Sequence, residues 1–312
     1  MCYYIGVDGG GTKTAYALFN EKKDLLATVY GPGSNHENLA GGFDEAATLI
    51  MDGISTLLDE NKLSLDDITH TLMGLAGIDH PFQHEAICEE LDDRGLKNYS
   101  IYNDGFIVTK AGAPGGVGIG YNCGTGTCCN SIDSRGEMLQ IGGFGELSGD
   151  MGNGHWIAQM AFRTVFDEIC LKKHESLLTK LFCKAFEIEP ERDVFLATIA
   201  QIEGPMGEQS IRTLIDSFFE AAAANDGAVM AVIDLMAERG ADYIAAHTKI
   251  QQFDGDVVNV VLSGSIHTKL PSGMYIDLLK KKAAEKSGRN INFIILKDAP
   301  VTGCINWMLE EK

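Results

Sequence analysis

The chain has 312 residues, enough for two domains, and 45% of them are hydrophobic. Its 44 acidic against 25 basic side chains leave a net charge of −19. Such a surface repels phosphate backbones and anionic lipid, which argues against sequence-independent nucleic-acid binding and membrane attachment. It does not exclude ATP, whose sites rest on local amide groups and Mg2+ rather than global charge. No apolar leader opens the chain, and the run Val257-Val258-Asn259-Val260-Val261-Leu262 is far short of a membrane span. Eight cysteines without a C-x-x-C spacing read as reduced thiols of a cytoplasmic protein, with Cys128-Cys129 buried rather than reactive.

In chain order, apolar runs predict strands at 3–8, 14–20 and 24–30. A helix follows at 42–60, with Phe43, Ala46, Ala47, Ile50, Ile54 and Leu57 on one face. A strand at 71–77, a helix at about 82–93 and a strand at 99–102 complete the order β-β-β-α-β-α-β of a mixed sheet with packed helices. The chain breaks at Ala113-Pro114-Gly115-Gly116. Strands at 117–123 and 128–132 flank a second tight turn, a loose echo of the first hairpin. From 153 to about 250 the pattern is helical; a strand at 257–262, a helix at 269–286, a strand at 292–296 and a helix at 299–310 end the chain.

Four segments carry chemistry. Asp8-Gly9-Gly10-Gly11-Thr12-Lys13-Thr14 turns between two strands on nearly bare backbone. Glycines let N–H groups approach an oxyanion, and Asp8 beside them suits a hydrated Mg2+. The spacing is neither that of a Walker A loop nor that of a Rossmann turn. Asn103-Asp104-Gly105 ends a strand, where α/β sheets bind ligands, and it is equally a turn signal. Gly124-Thr125-Gly126-Thr127 offers amides and hydroxyls in a second hairpin, and Ser263-Gly264-Ser265 links a buried strand to a helix. Taken singly, the last two are ordinary connections.

In this order the segments resemble the actin/hexokinase/heat-shock-chaperone ATPase superfamily. Within it, the chain is similar to the N-acetylglucosamine kinase branch grouped with the BadF/BadG/BcrA/BcrD ATPases. The resemblance spans almost the whole chain. It is carried by Gly33-Ser34-Asn35-His36, by Gly124-Thr125-Gly126-Thr127, and most specifically by Gly142-Gly143-Phe144-Gly145-Glu146-Leu147-Ser148-Gly149-Asp150-Met151-Gly152. Phe144 stands where the family has Trp, and Met151 where a Glu commonly follows the Asp.

The resemblance implies an α/β fold of two ribonuclease-H-like domains, mixed sheets flanked by helices, with the nucleotide in the cleft between them. The domains would be 1–114 plus 298–312, and 115–297 with a helical insertion; hinges are expected near 112–117 and 296–299. It implies ATP and Mg2+ as cofactors and phosphorylation of the 6-hydroxyl of N-acetylglucosamine or N-acetylmuramic acid. Glucosamine phosphorylation and activation of a radical dehydratase are the alternatives. By the same resemblance Asp104 is the base and Asp8 positions the metal. Gly10, Gly11, Thr12, Lys13, Thr125 and Gly126 hold phosphates, and Gly264 and Ser265 line the nucleotide. Asn35, His36, Asp104, Thr125, Gly143, Phe144, Gly145 and Asp150 meet the sugar. For Asp150, capping of a helix beginning near Gly152 is the competing role, and for Lys13 a solvated turn position. Glu146 is either a partner for a free amine or a solvent-facing residue. A homodimer is also implied.

Overall fold

The computed structural model describes residues 2–204, 207–268 and 273–310. Its first half is built on strands β1 (Tyr3–Gly9), β2 (Lys13–Asn20), β3 (Leu25–Pro32), β4 (Ile68–Leu75) and β5 (Tyr99–Asn103). They form one sheet in the order β3-β2-β1-β4-β5, antiparallel through the first three strands and parallel from β1 to β4 to β5. Helices α1 (Gly42–Asn61), α2 (Pro81–Asp93) and α3 (Asp104–Gly112) connect and cover it.

Both faces of this sheet are covered, so its central strands carry apolar runs such as Ala15-Tyr16-Ala17-Leu18-Phe19 rather than strict alternation with polar residues. Ile5, Val7, Tyr16 and Leu18 pack with Ile50, Ile54 and Leu57 of α1 and Ile87 and Leu91 of α2. Ala17, Phe19 and Leu72 face the other way, onto Ile107 of α3.

The second half repeats the plan. Strands β6 (Gly118–Cys123), β7 (Thr127–Ile132), β8 (Met138–Gly142), β9 (Val257–Ser263) and β10 (Asn290–Ile295) run in the order β10-β9-β6-β7-β8. Again three strands are antiparallel and two join β6 in parallel. The echo between the two hairpins is thus a repeat of a whole ribonuclease-H-like sheet.

Between β8 and β9 run α4 (Gly154–Ile169), α5 (Leu177–Ala185), α6 (Arg192–Ile202), α7 (Gly207–Ala223) and α8 (Gly227–Ile250). Their apolar faces share one core with the second sheet, through Ile157, Phe182, Phe218, Ile233 and Tyr121 among others. Helices α9 (Ser265–Thr268) and α10 (Met274–Ser287) follow β9. The helix expected from 269 is described from Met274 onward; 269–272 lie outside the described residues.

The last helix, α11 (Thr302–Met308), is shorter than the 299–310 expected, because Ala299 and Pro300 form a turn that feeds it. It returns to the first sheet: Val301, Cys304 and Ile305 pack with Ala17, Phe19, Leu72 and Ile107. Lys110 of α3, almost wholly buried, pairs with Glu310 at 2.5 Å, and its ammonium lies 5.1 Å from the Trp307 ring centroid. Among the described residues no helix is long and apolar enough to cross a membrane. All eight cysteines are free thiols, and Cys123, Cys128, Cys129 and Cys304 are buried.

Candidate active site

Strands β1, β4 and β5 are parallel, so their carboxyl ends open on one edge of the sheet. In register, Asp8 lies opposite Gly74 and Gly74 opposite Tyr102, two residues before Asp104. Two inter-strand steps separate Asp8 from the Asp104 strand by about 10 Å of backbone, with Gly74 on the strand between them. The carboxylates feel one another across that gap. Burial, then the charges of Asp8 and Asp79, push Asp104 up to about 7, against hydrogen bonds from the Gly105 and Asp104 amides. Burial also pushes Asp8 up to about 6, with the Lys13 charge pulling the other way. The triple-glycine turn and Asp104 therefore lie at the carboxyl edge of the same sheet.

Asp104 is held by local structure. It is the first residue of α3, and the Asn103 side chain accepts the Gly105 amide at 2.9 Å as the cap. The helix was not expected from the sequence, because Asn-Asp-Gly reads as a turn when nothing shows which residue caps what. Cys128 Sγ approaches Asp104 Oδ1 at 4.0 Å from the second sheet.

The first turn is stitched to the Gly33-Ser34-Asn35-His36 segment. Gly10 N donates to Lys13 O and Ser34 N to Gly10 O, both at 3.1 Å. Thr14 Oγ1 donates to Pro32 O at 2.8 Å and lies 3.0 Å from Ser34 Oγ. A Cβ on Gly33 would stand 2.4 Å from Gly11 O, so backbone packs directly on backbone here. Gly11, Thr12 and Lys13 remain accessible at the tip. Lys13 points along the sheet edge, its ammonium 5.6 Å from the Tyr30 ring centroid, as a solvated turn lysine would.

The second hairpin and the late glycine turn meet. Gly124 N donates to Gly126 O and Gly154 N to Gly124 O, both at 2.9 Å, which ties the turn to the start of α4. A Cβ on Gly124 would lie 3.6 Å from Ser265 N. Thr125, Gly126 and Ser265 are exposed there.

A cavity of about 360 Å³ adjoins this edge, lined by Glu37, Asp79, His80, Gln83, Gly126, Thr127, Gly143, Phe144, Gly145, Asp150 and Asn153. Of the residues expected at the sugar, Gly143, Phe144, Gly145 and Asp150 line it, while Asn35, His36, Asp104 and Thr125 do not. Asn35 Oδ1 accepts the Glu37 amide at 3.0 Å, and His36 stacks on Phe43 at 3.9 Å. Asp150 does not cap α4; Asn153 does, accepting the Trp156 amide at 3.0 Å. The Asp150 carboxylate instead gathers Gly145 N at 2.7 Å, Gly143 N at 3.0 Å and Tyr243 OH at 2.6 Å. Its work on the protein side is to fold the Gly-Gly-Phe-Gly loop back on itself, with Gly143 at φ +110 and Gly145 at φ +85. That loop presents Phe144, whose ring stacks with His80 at 6.2 Å. Glu146 is exposed and bonded to Gln159 at 3.2 Å, outside the cavity wall.

Glu37, Asp79, His80, Gln83 and Asn153 are not singled out by the sequence, and Thr127 is singled out only as part of the second glycine turn. Asp79 was within reach of the rule that found Asp104, since it lies just past the carboxyl end of β4. An apolar cavity of about 250 Å³ between α4, α6 and α7 includes none of the glycine turns.

Among the described residues, no group of three His, Cys, Asp or Glu side chains gathers as a metal cage. Asp8 nevertheless suits a cation held through water, because its carboxylate is desolvated and its charge is felt by Asp104, with Lys13 the positive charge that acts on it among the described residues.

The profile of the BadF/BadG/BcrA/BcrD ATPase family matches residues 5–297. An N-acetyl-D-glucosamine kinase of Dictyostelium discoideum is 27% identical over 297 residues, covering 90% of each chain. An N-acetylmuramic acid/N-acetylglucosamine kinase of Clostridium acetobutylicum is 28% identical over 205 residues, 58% of this chain and 65% of that one. Among solved structures, one described as a candidate N-acetylglucosamine kinase of Chromobacterium violaceum superposes with a TM-score of 0.69 at 21% identity over 98% of both chains. A glucokinase of Streptomyces griseus, bound to glucose and AMPPNP, superposes with a TM-score of 0.59 at 15% identity over 97% of both. These likenesses establish the two-sheet fold.

Proposed function

The chain belongs to the BadF/BadG/BcrA/BcrD ATPase family, and from that premise we propose that it is an amino-sugar kinase moving the terminal phosphate of ATP to the 6-hydroxyl of N-acetylglucosamine or a related N-acetylhexosamine. Glucosamine and N-acetylmuramic acid are the other acceptors considered. The observation that supports the reading is a desolvated carboxylate at the head of α3, on the same sheet edge as the bare-backbone turn and close to Asp79 in the wall of a sugar-sized cavity.

In this reading the residues divide the work. Asp104 accepts the proton of the attacking hydroxyl, a contribution of about 10²–10⁴ in rate. The amides of Gly11 and Thr12 face the phosphates from one sheet, with Gly10, whose own amide closes the turn onto Lys13 O, giving them room, and Thr125 and Gly126 face them from the other. Gly264 and Ser265 border the nucleotide. Mg2+ bound with ATP would supply charge neutralisation, and Asp8 is the side chain that would hold it through water. Phe144 and His80 give the sugar ring a flat apolar wall. The two lobes are taken as 1–114 with 298–312, and 115–297. The reading carries with it a cytoplasmic homodimer acting on a small molecule, without nucleic acid or membrane.

A base must be deprotonated to act, and Asp104 is raised to about 7. Below that pH its protonated form dominates, so kcat/KM for the sugar should fall tenfold per unit on the acid side and level off above about 7. A flat profile from pH 5 to 8 removes Asp104 as the base. The reaction itself is tested by ADP release, which should depend on added N-acetylglucosamine. ADP release that ignores every amino sugar contradicts the proposal.

A further inference from the structure

The cavity wall is one-sided in charge. Glu37, Asp79 and Asp150 line it, and Asp104 lies close enough to Asp79 to feel its charge. Among the described lining residues there is no lysine or arginine. Arg239 packs against Gly149 and over the Tyr243 ring and does not line the cavity. The one imidazole, His80, is stacked with Phe82 and Phe144.

The three carboxylates are not equivalent. Asp150 is consumed by the loop it folds. Asp79 is anchored by one oxygen only. Its Oδ1 accepts Asn103 Nδ2 from the first sheet and Gln140 Nε2 from the second, each at 2.8 Å. No hydrogen bond from the described residues reaches its Oδ2. A carboxylate pinned on one side and open on the other accepts hydroxyl or ammonium donors and repels another carboxylate.

We propose that this cavity selects amino sugars by charge, admitting neutral N-acetylated and cationic hexosamines and rejecting those that carry a carboxylate, with Asp79 setting the discrimination. The proposal rests on the amino-sugar kinase reading. An anionic substituent, such as the lactyl group of N-acetylmuramic acid, would enter a partly desolvated cleft whose lining carries three carboxylates against one imidazole, His80.

Steady-state phosphorylation of N-acetylglucosamine, glucosamine and N-acetylmuramic acid by the full chain tests it. The kcat/KM for N-acetylglucosamine should exceed that for N-acetylmuramic acid by about a hundredfold or more. Asp79→Asn keeps an oxygen for both anchoring amides and removes the charge. It should narrow that ratio at least about tenfold. The ratio is independent of the folded fraction, and exposed Glu37→Gln should move it in the same direction by less. N-Acetylmuramic acid turned over within tenfold of N-acetylglucosamine by the unaltered chain overturns charge selection alone. A ratio unmoved in both variants does the same. If none of the three sugars is phosphorylated, the kinase reading falls and takes the inference with it.

Discussion

Asp104→Asn is expected to lower kcat by about 10²–10⁴ while leaving sugar binding within a few-fold of the original. The amide has the size of the carboxylate, and the cap of α3 comes from Asn103, so the helix start is untouched. What is lost is the proton acceptor. The same change should make the protein more stable above neutral pH. In the folded chain Asp104 binds its proton up to about 7, against 3.8 for an ordinary aspartate. Between those values the folded state holds the extra proton, so stability falls as pH rises through that window, and the deficit is complete above it. An uncharged side chain has no such deficit. Thermal unfolding at pH 8 should therefore show the variant melting a few degrees higher, with activity nearly gone. Retained turnover would remove Asp104 from the chemistry, and a lower melting point would remove the electrostatic explanation of its pKa.

Gly264→Ala should be the most damaging small substitution on the nucleotide side. Gly264 follows β9 at φ +84, a conformation that L side chains rarely adopt. An added Cβ would stand 2.2 Å from Cys123 O and 2.5 Å from Cys123 C, at the end of β6. Neither obstacle can rotate away, since both are backbone held in the second sheet. The turn must then move, and with it Ser265 and the neighbouring Gly124. We expect a KM for ATP raised by about tenfold or more, and a stability loss on the order of 2 kcal/mol. Denaturant unfolding and ATP titration check the two parts. An unchanged KM for ATP would separate this turn from the nucleotide.

The repeated sheet was legible because its central strands are buried on both faces, which leaves mostly apolar runs at 117–123 and 257–262, each interrupted by a single asparagine. The edge strand β8 was not, since Met138 is exposed and Gln140 points to Asp79, so no apolar run marks it. Helix α3 was hidden for a different reason: its cap and first residues spell a turn signal, and Asn103 is held in place by Asp79 from its own half and by Asn130 from the second sheet. The glycine turns could be found because glycine at a close backbone approach leaves a mark in the sequence. The sugar wall could not be assigned in the same way. Asn35 and His36 carry the recognisable motif, yet their side chains serve local packing, while Glu37 and Asp79 face the cavity. Which neighbour of a motif turns inward is set by tertiary contacts that no local spacing encodes.

The most direct test is to incubate the protein with ATP, Mg2+ and N-acetylglucosamine and to identify the product by phosphorus and proton magnetic resonance. One ADP should form per sugar, with the phosphorus coupled to the two protons on carbon 6. Phosphate released to water at the same rate with and without sugar, or a phosphoryl group attached elsewhere on the ring, would contradict a clamp of main-chain amides working with Asp104 on the 6-hydroxyl.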